Sequence, residues 1–476
     1  MNSSGISSTD TLPADVVLGP SGQPQAGRSV VRSASFPKRR VLLISYAFPP
    51  TGGGGVQRAV KFAKYLPSYG WQPTVLTAAN PSVPLRDHDL AGELDPGTKI
   101  VRAGSWEPGY GVKQQLTDTG RRGPAMIRNM VRQVGMQLLQ PDPQILWNRS
   151  AMREAIRILR AQPHDVIFVT GPPFSSFLLG SKLKQRFGIP LVLDFRDEWL
   201  LVSQYMENHQ LRGLAYWRQY AMMQKTLQAA NAVVATTQAS AAELASQCRK
   251  AASAATVSCI YNGFDPDDLG DLPNTPATSS KLRIAYTGTL WKLTDISPLV
   301  SALESLAQTA ADRAARVELT VAGRRTPQQD SVLARLRGTA VSVVRLDYLP
   351  HSQALKLAAS ADLLLLLLAD QPGVERVVPA KLFEYLALQK PILAIGPEGE
   401  TNRLLRQHGQ AQIFQPAEID RIARWLETQL GQRSGYTTSP VVTSSRSAPR
   451  TLLTQFSRPI LASELADLFQ HCVASD

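Results

Sequence analysis

The chain has 476 residues, 43% of them hydrophobic and 19% charged. This length predicts two or three domains, and the composition excludes a wholly disordered or fibrous protein. The longest apolar run, residues 363–369, has about a third of the ~20 residues that a membrane-spanning helix needs. Three widely spaced cysteines, Cys248, Cys259 and Cys472, form neither a disulfide framework nor a zinc site and are typical of a reducing, cytoplasmic compartment.

Basic residues outnumber acidic ones by 51 to 38, which gives a formal net charge of +13. Such an excess favours an anionic partner: nucleic acid, a membrane surface or a phosphorylated small molecule. Nucleic acid is the poorest of these interpretations, because the basic residues are dispersed and no aromatic-interleaved platform occurs. The stretch 109–160 is either an interfacial helix that binds anionic lipid at the inner membrane face or a solvated helix face. Its basic residues include Arg121, Arg122, Arg128, Arg132 and Arg149.

The first 37 residues are rich in Ser, Thr, Gly and Pro without an apolar period, which predicts a disordered tail and no signal peptide. A buried strand is predicted at 40–46, a Pro/Gly loop at 48–55, a helix at 56–69 and a strand at 74–77. The same strand–helix–strand pattern recurs at 165–194. Further strands are predicted at 99–102, 232–236 and 256–260.

A Pro/Thr/Ser-rich connector at 269–280 precedes a second alternating set. Its strands are predicted at 283–287, 317–322, 341–346, 363–368, 391–395 and 411–414, with a last helix at 416–430. Such alternation specifies an α/β protein with doubly wound parallel sheets. We therefore expect two Rossmann-like domains facing across a cleft, at 38–270 and 271–430, then a loop at 431–450 and a helix within 451–476.

Two short motifs have competing interpretations. The glycine loop lacks the G-x-G-x-x-G spacing and the later acidic residue of a dinucleotide site, so no nicotinamide or flavin cofactor is expected. Two D-x-D patterns, at 87–89 and 265–267, resemble a manganese-binding motif that occurs often by chance. Asp265 follows a turn and suits a helix N-cap, so no metal site is expected.

Ligands of open α/β sheets bind beyond the carboxyl ends of the strands, so the loops there carry the candidate site. Gly53, Gly54 and Gly55 precede a helix N-terminus, where glycines allow close backbone approach and free N–H groups favour an anion. The alternative is a flexible surface loop that binds nothing. The position after the first strand favours the anion site.

A second group of candidates lies in the second domain. Lys381 and Glu384 are three residues apart on one helix face, and they suit a diphosphate and a ribose diol respectively. Taken alone they would be a surface ion pair. Gly288, Lys292 and Arg324 follow other strands of the same sheet, and clustered cations at one sheet edge indicate a bound phosphoanion.

The segment 194–199 ends a strand of the first domain in several ionisable side chains. Asp194, Arg196 and Asp197 either pair with neighbours or face the cleft, where acceptor hydroxyls and general bases are found. The candidate catalytic set is accordingly Asp194, Arg196, Asp197, Lys292 and Arg324.

Together these motifs resemble a GT-B glycosyltransferase of the family-4 ("group 1") type over roughly residues 39–472. The resemblance rests on the order of Phe48-Pro-Pro-x-x-Gly-Gly, Gly171-Pro-Pro173, Asp194-Phe-Arg-Asp197, Asn262-Gly-Phe-Asp265, Gly288-Thr289 and Lys381-Leu-Phe-Glu-Tyr385. It implies that the first domain takes a saccharide or lipid-linked acceptor, the second a nucleotide-sugar donor, and that the last helix crosses back to the first domain. The implied donor-binding residues are Gly53, Gly54, Gly55, Gly288, Thr289, Lys292, Arg324, Lys381, Leu382 and Glu384.

The sequence departs from the family pattern at one position. The family commonly carries E-x7-E, whose second glutamate is Glu384 here, but the first place is taken by Arg376. The resemblance implies retaining, metal-independent sugar transfer in polysaccharide or glycolipid assembly. A sugar-nucleotide epimerase of the same fold and a catalytically silent scaffold remain alternatives, and Arg376 favours the scaffold.

Overall fold

The computed structural model describes residues 39–83, 85–107, 139–205, 213–270, 272, 280–408, 411–432 and 453–474. The predictions for the tail at 1–37 and for Arg121, Arg122, Arg128 and Arg132 lie outside the described residues. The loop predicted at 431–450 also lies outside them, except for its first two residues, which belong to the helix Ile419–Gln432.

Seven parallel strands form the first sheet, in the order β3-β2-β1-β4-β5-β6-β7. They are β1 Arg39–Ser45, β2 Trp71–Ala78, β3 Lys99–Ala103, β4 Val166–Gly171, β5 Leu191–Phe195, β6 Ala232–Ala235 and β7 Thr256–Cys259. The central strand β1 lies between β2 and β4, with Leu43 opposite Val75 and Phe168. These three side chains are fully buried, as the nearly continuous apolar sequences predict for a parallel sheet.

Helices cover the first sheet on both faces. They are α1 Gly54–Tyr65, α2 Asn148–Ala161, α3 Ser175–Phe187, α4 Trp199–Tyr205, α5 Leu214–Ala229 and α6 Gln238–Lys250. The predicted helix at 56–69 begins two residues earlier and continues as a 3-10 turn, Leu66–Tyr69. Gly70 ends it with a φ of 82°, a left-handed conformation that suits glycine.

Six parallel strands form the second sheet, in the order β10-β9-β8-β11-β12-β13. They are β8 Leu282–Thr287, β9 Val317–Ala322, β10 Ser342–Leu346, β11 Leu363–Leu367, β12 Ile392–Ile395 and β13 Ala411–Phe414. Its helices are α7 Ser297–Thr309, α8 Ala311–Ala314, α9 Pro327–Ala334, α10 His351–Ser360, α11 Lys381–Ala387, α12 Glu400–His408 and α13 Ile419–Gln432. The predicted α/β class with two Rossmann-like sheets is confirmed.

The last helix, α14 Arg458–Ala474, lies against the first sheet. The ring of Phe469 packs edge-on against Trp71 at 5.2 Å and Phe168 at 5.5 Å. The first strand and the last helix of the described residues thus belong to the same domain. Within that part, no helix combines the length and the hydrophobicity needed to span a bilayer.

Each domain caps a helix of the other. In the first domain, the carboxylate of Asp87 accepts the backbone N–H of His351 at 3.0 Å, at the start of α10. In the second domain, the carboxylate of Glu400 accepts the N–H groups of Gln238 and Ala239 at 2.9 and 2.7 Å, at the start of α6. These contacts hold the carboxyl ends of the two sheets toward one cleft.

Candidate functional site

A cavity of about 360 Å³ lies in this cleft and is lined by both domains. The predicted residues that line it are Gly53, Gly54, Gly288, Thr289, Arg324, Lys381 and Glu384. They come from three loops and two helices, and up to 331 residues of sequence, from Gly53 to Glu384, separate them. Long-range folding therefore unites most of the donor-binding residues that the sequence implied.

The glycine loop forms the wall of this cavity that the first domain contributes. Gly53 precedes α1 with a φ of 107°, which few L side chains adopt, and its N–H donates to Tyr348 Oη at 3.0 Å. Gly54 is the first residue of α1, where backbone N–H groups lack intrahelical partners. The positive end of the helix dipole thus faces the cavity, an arrangement that favours an anion.

Two glycines form the floor, where strands of the second sheet end. Gly288 has a φ of 139°, and a Cβ there would lie 2.7 Å from Lys381 Nζ. Gly323 has a φ of 131°, and a Cβ there would lie 2.2 Å from the carbonyl oxygen of Gly288. Only glycine at both positions lets these strand ends pack together and lets the lysine approach the backbone.

Lys381 is the cation at the base of the cavity. Its Nζ lies 3.7 Å from the centre of the Tyr286 ring, a cation–π contact. Burial lowers the pKa of Lys381 to about 7, and the neighbouring Glu384 only partly opposes this effect. A phosphate placed here would supply the negative charge that favours the protonated lysine.

Glu384 lies one turn further along α11. Its Oε1 is 3.0 Å from Nε2 of His351, which also lines the cavity. Burial by itself raises the pKa of Glu384, but His351, Arg458 and Lys381 together lower it below its ordinary value. The carboxylate is therefore ionised at neutral pH and suited to accept hydrogen bonds.

Sequence reasoning missed His351 and Tyr348. Both lie in or just after the loop between β10 and α10, which carries no glycine or cationic signal. His351 directly follows Pro350, a helix-start pattern that predicts structure rather than a binding role. Their importance comes from the approach of the other domain, which a single sequence does not reveal.

A second cavity, of about 290 Å³, adjoins the first, because Gly54 and Ala380 line both. The predicted residues Gly55, Arg196 and Asp197 line this second cavity. Arg196 donates to the carbonyl oxygens of Gly55 and Pro172 and so joins the glycine loop to the loop after β4. Burial raises the pKa of Asp197, and Glu198 and Asp194 raise it further, whereas Arg196 opposes the shift.

Arg376 lies on the wall of the second cavity and links the domains. Its Nε and Nη2 donate to the two carboxylate oxygens of Glu198 at 2.7 and 2.8 Å. Its Nη1 donates to Glu375 at 2.9 Å. The residue at the place of the family's first glutamate thus forms a paired interdomain contact.

Three predicted site residues lie elsewhere. Asp194 is fully buried beneath the cleft and lines neither cavity, and it accepts hydrogen bonds from Arg58 Nη2 at 2.8 Å and Thr170 Oγ1 at 2.7 Å, so it pairs with neighbours instead of facing the cleft. Lys292 is absent from the lining of both cavities and points its Nζ toward the Tyr205 ring, 5.2 Å away. Leu382 is a fully buried member of the hydrophobic core behind α11.

The D-x-D patterns serve as caps. Asp265 accepts the N–H of Asp267 at 3.0 Å, as expected of an N-cap residue. Among the described residues, Glu93, Asp265 and Asp268 lie close enough together to hold a metal ion. However, the Nζ of Lys61 is 2.5, 2.7 and 2.9 Å from their respective oxygens. The ammonium group of Lys61 therefore already lies among these three carboxylates.

Two parallel α/β sheets that face each other across an anion-favouring cleft define the GT-B class. The model of Glycosyltransferase Family 4 matches residues 52–268, which span most of the first domain. The resemblance read from the motifs is confirmed, and the chain has the GT-B fold. No curated protein sequence matches it.

Solved structures agree with this fold. Sucrose-phosphate synthase from Thermosynechococcus elongatus superposes with a TM-score of 0.61 at 14% identity, over 92% of this chain and 100% of that one. HepE from Anabaena, solved with UDP-glucose, gives 0.54 at 15%, over 91% and 99%. A UDP-N-acetylglucosamine 2-epimerase assigned in Listeria monocytogenes gives 0.51 at 11%, over 92% and 98%. At these identities the likeness establishes the fold alone.

Proposed function

We propose that the protein transfers a sugar from a nucleoside-diphosphate sugar to an acceptor hydroxyl group. The observation that carries this proposal is the first cavity, where Lys381 and the start of α1 converge from opposite domains. Glu384 lies within the same cavity and suits a ribose diol. HepE, which shares the fold, was solved with UDP-glucose, and this supports a sugar nucleotide as the donor.

The chemistry of the proposed reaction needs stabilisation of negative charge on the departing diphosphate. Lys381, Arg324 and the N–H groups of the glycine loop would supply it from fixed positions, without a metal ion. The adjoining second cavity would hold the acceptor, with Asp197 as partner for the reacting hydroxyl. Closure of the domains would keep water from hydrolysing the donor. Retention of the anomeric configuration is inferred from the family resemblance.

The first experiment is calorimetric binding of UDP, GDP and ADP to the full chain. We expect one of them to bind, and we expect Lys381→Ala and Glu384→Ala each to weaken it at least tenfold, since each removes a charged partner of the ligand. Lys356→Ala is the matched control, because Lys356 is an exposed lysine on the neighbouring helix α10. Unchanged affinity in both site variants would remove the donor-site assignment.

Arg376 favours one alternative, a GT-B protein that binds its ligand without catalysis. At this position the resemblance expects a carboxylate that contacts the donor sugar, and Arg376 is instead held by Glu198. Turnover of radiolabelled nucleotide sugars separates the possibilities. Transfer that requires an acceptor supports the transferase, change of the sugar without an acceptor supports an epimerase, and binding without turnover supports a scaffold.

We further propose that the acceptor is reached at an anionic membrane surface. Helix α2 carries exposed arginines at helical spacing, Arg149, Arg153, Arg157 and Arg160. The indole of Trp106 is 84% exposed, and its strand end meets the start of α2 through the Ser150 hydroxyl and the Gly104 carbonyl oxygen. Arginine side chains bind phospholipid headgroups, and an exposed tryptophan inserts at the membrane interface. A membrane surface as partner would bring the protein to a lipid-linked acceptor.

Flotation with vesicles tests this partner. Vesicles containing phosphatidylglycerol should carry the protein, and vesicles of phosphatidylcholine alone should not. Replacing Arg149 and Arg153 by glutamine should reduce flotation, whereas Arg335→Gln, on the second domain, should not. Equal flotation on both vesicle types would contradict recognition of anionic lipid by the arginines. Absence of flotation on both would contradict the membrane surface as partner and would favour a soluble saccharide acceptor.

A further inference from the structure

His351 stands between two carboxylates that belong to different parts of the fold. Its Nε2 is 3.0 Å from Glu384 Oε1 in the first cavity, and its Nδ1 is 3.7 Å from Asp268 Oδ2 in the first domain. Only 11% of the side chain is exposed. Burial lowers the pKa of His351, but Glu384 and Asp268 outweigh this effect and raise it above the ordinary value. The two carboxylates thus favour the protonated form of the imidazole.

We propose that His351 is a positioning residue that holds Glu384 in place to accept the ribose diol of the donor nucleotide. This inference rests on the proposed function and adds to it a residue that determines ligand specificity. His351 engages Oε1 of Glu384. Among the described residues, no hydrogen bond engages the other oxygen, Oε2, which leaves it available to ribose hydroxyls.

Without His351, a different partner would compete for this carboxylate. Lys381 lies three residues earlier on α11, hence on the same helix face, and contributes to lowering the pKa of Glu384. If the histidine were removed, Glu384 would turn toward Lys381. That pairing would withdraw the carboxylate from the ribose. The histidine therefore keeps the two ligand-binding side chains of α11 apart.

The first domain fixes the position of the histidine itself. Asp87 accepts its backbone N–H, and Asp268 faces its ring. Asp268 is in turn held by Lys61 at 2.9 Å, a lysine of α1 that is 2% exposed. Because α1 begins at the glycine loop, the same helix contributes the phosphate-facing N–H groups and anchors the carboxylate behind His351. Helix α1 therefore contributes to the proposed phosphate side of the cavity and also supports the histidine from behind.

The experiment compares three ligands by calorimetry: the nucleoside diphosphate that binds best among UDP, GDP and ADP, its 2′,3′-dideoxy analogue, and inorganic pyrophosphate. In the unmodified protein we expect the dideoxy analogue to bind about tenfold or more weakly, because it lacks the diol that a charged acceptor binds. In His351→Leu this discrimination should fall to within about threefold, while the affinities for the dideoxy analogue and pyrophosphate stay the same.

Two further variants separate positioning from general support of the fold. His351→Gln retains a side-chain N–H that can reach Glu384, so it should restore most of the discrimination. His88→Gln changes an exposed histidine and should behave like the unmodified protein. Equal loss of affinity for all three ligands in His351→Leu would mean a merely structural role and would overturn the inference.

The two proposals fail in different ways. Full ribose discrimination in His351→Leu would overturn the role of the histidine and leave the donor-site proposal intact. Absence of binding by all three nucleotides to the unmodified protein would overturn both.

Discussion

Replacement of Lys381 by methionine should stabilise the protein while it weakens nucleotide binding. The lysine is largely buried, and its nearest partners are the face of Tyr286 and the more distant Glu384. Methionine has a similar length and packs well against an aromatic ring. The substitution therefore removes the buried charge and leaves little empty space.

The magnitude follows from the pKa of Lys381, which is lowered from 10.5 to about 7. Each unit of pKa shift corresponds to about 1.4 kcal/mol of folding free energy. At pH 7 the buried lysine therefore destabilises the folded protein by up to ~4 kcal/mol. Water in the open cavity screens the charge and reduces this cost to about 2 kcal/mol. Because the folded protein favours the neutral amine, its stability rises with pH between about 7 and 10.5. Below pH 7 the full cost is present.

Urea denaturation at pH 6, 7, 8 and 9 measures this effect. The midpoint of Lys381→Met should exceed that of the unmodified protein at pH 6 and 7, and the difference should shrink at pH 9. Nucleotide affinity of the unmodified protein should fall as pH rises above 7, since binding then requires proton uptake by the lysine, and Lys381→Arg should lose this dependence because arginine stays charged. A variant less stable than the unmodified protein at pH 6 would refute the reasoning.

Three other substitutions follow from the geometry. Gly288→Ala should destabilise the second domain by about 1–3 kcal/mol through strain at its φ of 139° and should reduce nucleotide affinity, as denaturation and calorimetry would measure. Asp194→Asn should cost about 3–5 kcal/mol, because it leaves the buried Arg58 without a charged partner, and pairing it with Arg58→Met should recover part of the loss. A double-mutant cycle of Glu198→Gln and Arg376→Gln, measured by urea denaturation, should give a coupling energy of about 1 kcal/mol in the free energy of unfolding. If the two substitutions change this free energy additively, the pair contributes nothing to stability.

The sequence was informative where local pattern determines structure. The apolar strands, the loops at their carboxyl ends and the glycines of those loops were all visible, because parallel sheets bury both faces and place ligands at one edge. Lys381 and Glu384 were also found, since their spacing on one helix is a local property.

The sequence did not show where a side chain points when its position depends on a distant partner. Asp194 looked like an acidic group at a strand end, but its partner Arg58 comes from another element, 136 residues earlier. Lys292 belongs to a turn in which Thr294 Oγ1 donates to the carbonyl oxygen of Thr289, and its Nζ lies near the Tyr205 ring and outside the lining of the first cavity. A single sequence predicts neither the direction in which a loop runs nor an ion pair between distant residues.

The contacts between the domains differ in kind on the two sides of the cleft. Beside the points where the chain crosses between domains, the aromatic rings of Tyr261, Phe383 and Phe456 pack together, with ring centres 5.0 to 5.6 Å apart. Around the cavities the domains meet largely through charged groups, such as the Arg376–Glu198 pair and the Asp87 cap of α10. Water can replace such hydrogen bonds at a net cost of about 1 kcal/mol each, whereas separating the aromatic rings would expose apolar surface. Rotation about the aromatic side therefore costs less free energy than separation of the rings, and under the proposed function the contacts that part in such a rotation lie beside the cavity that would take the donor.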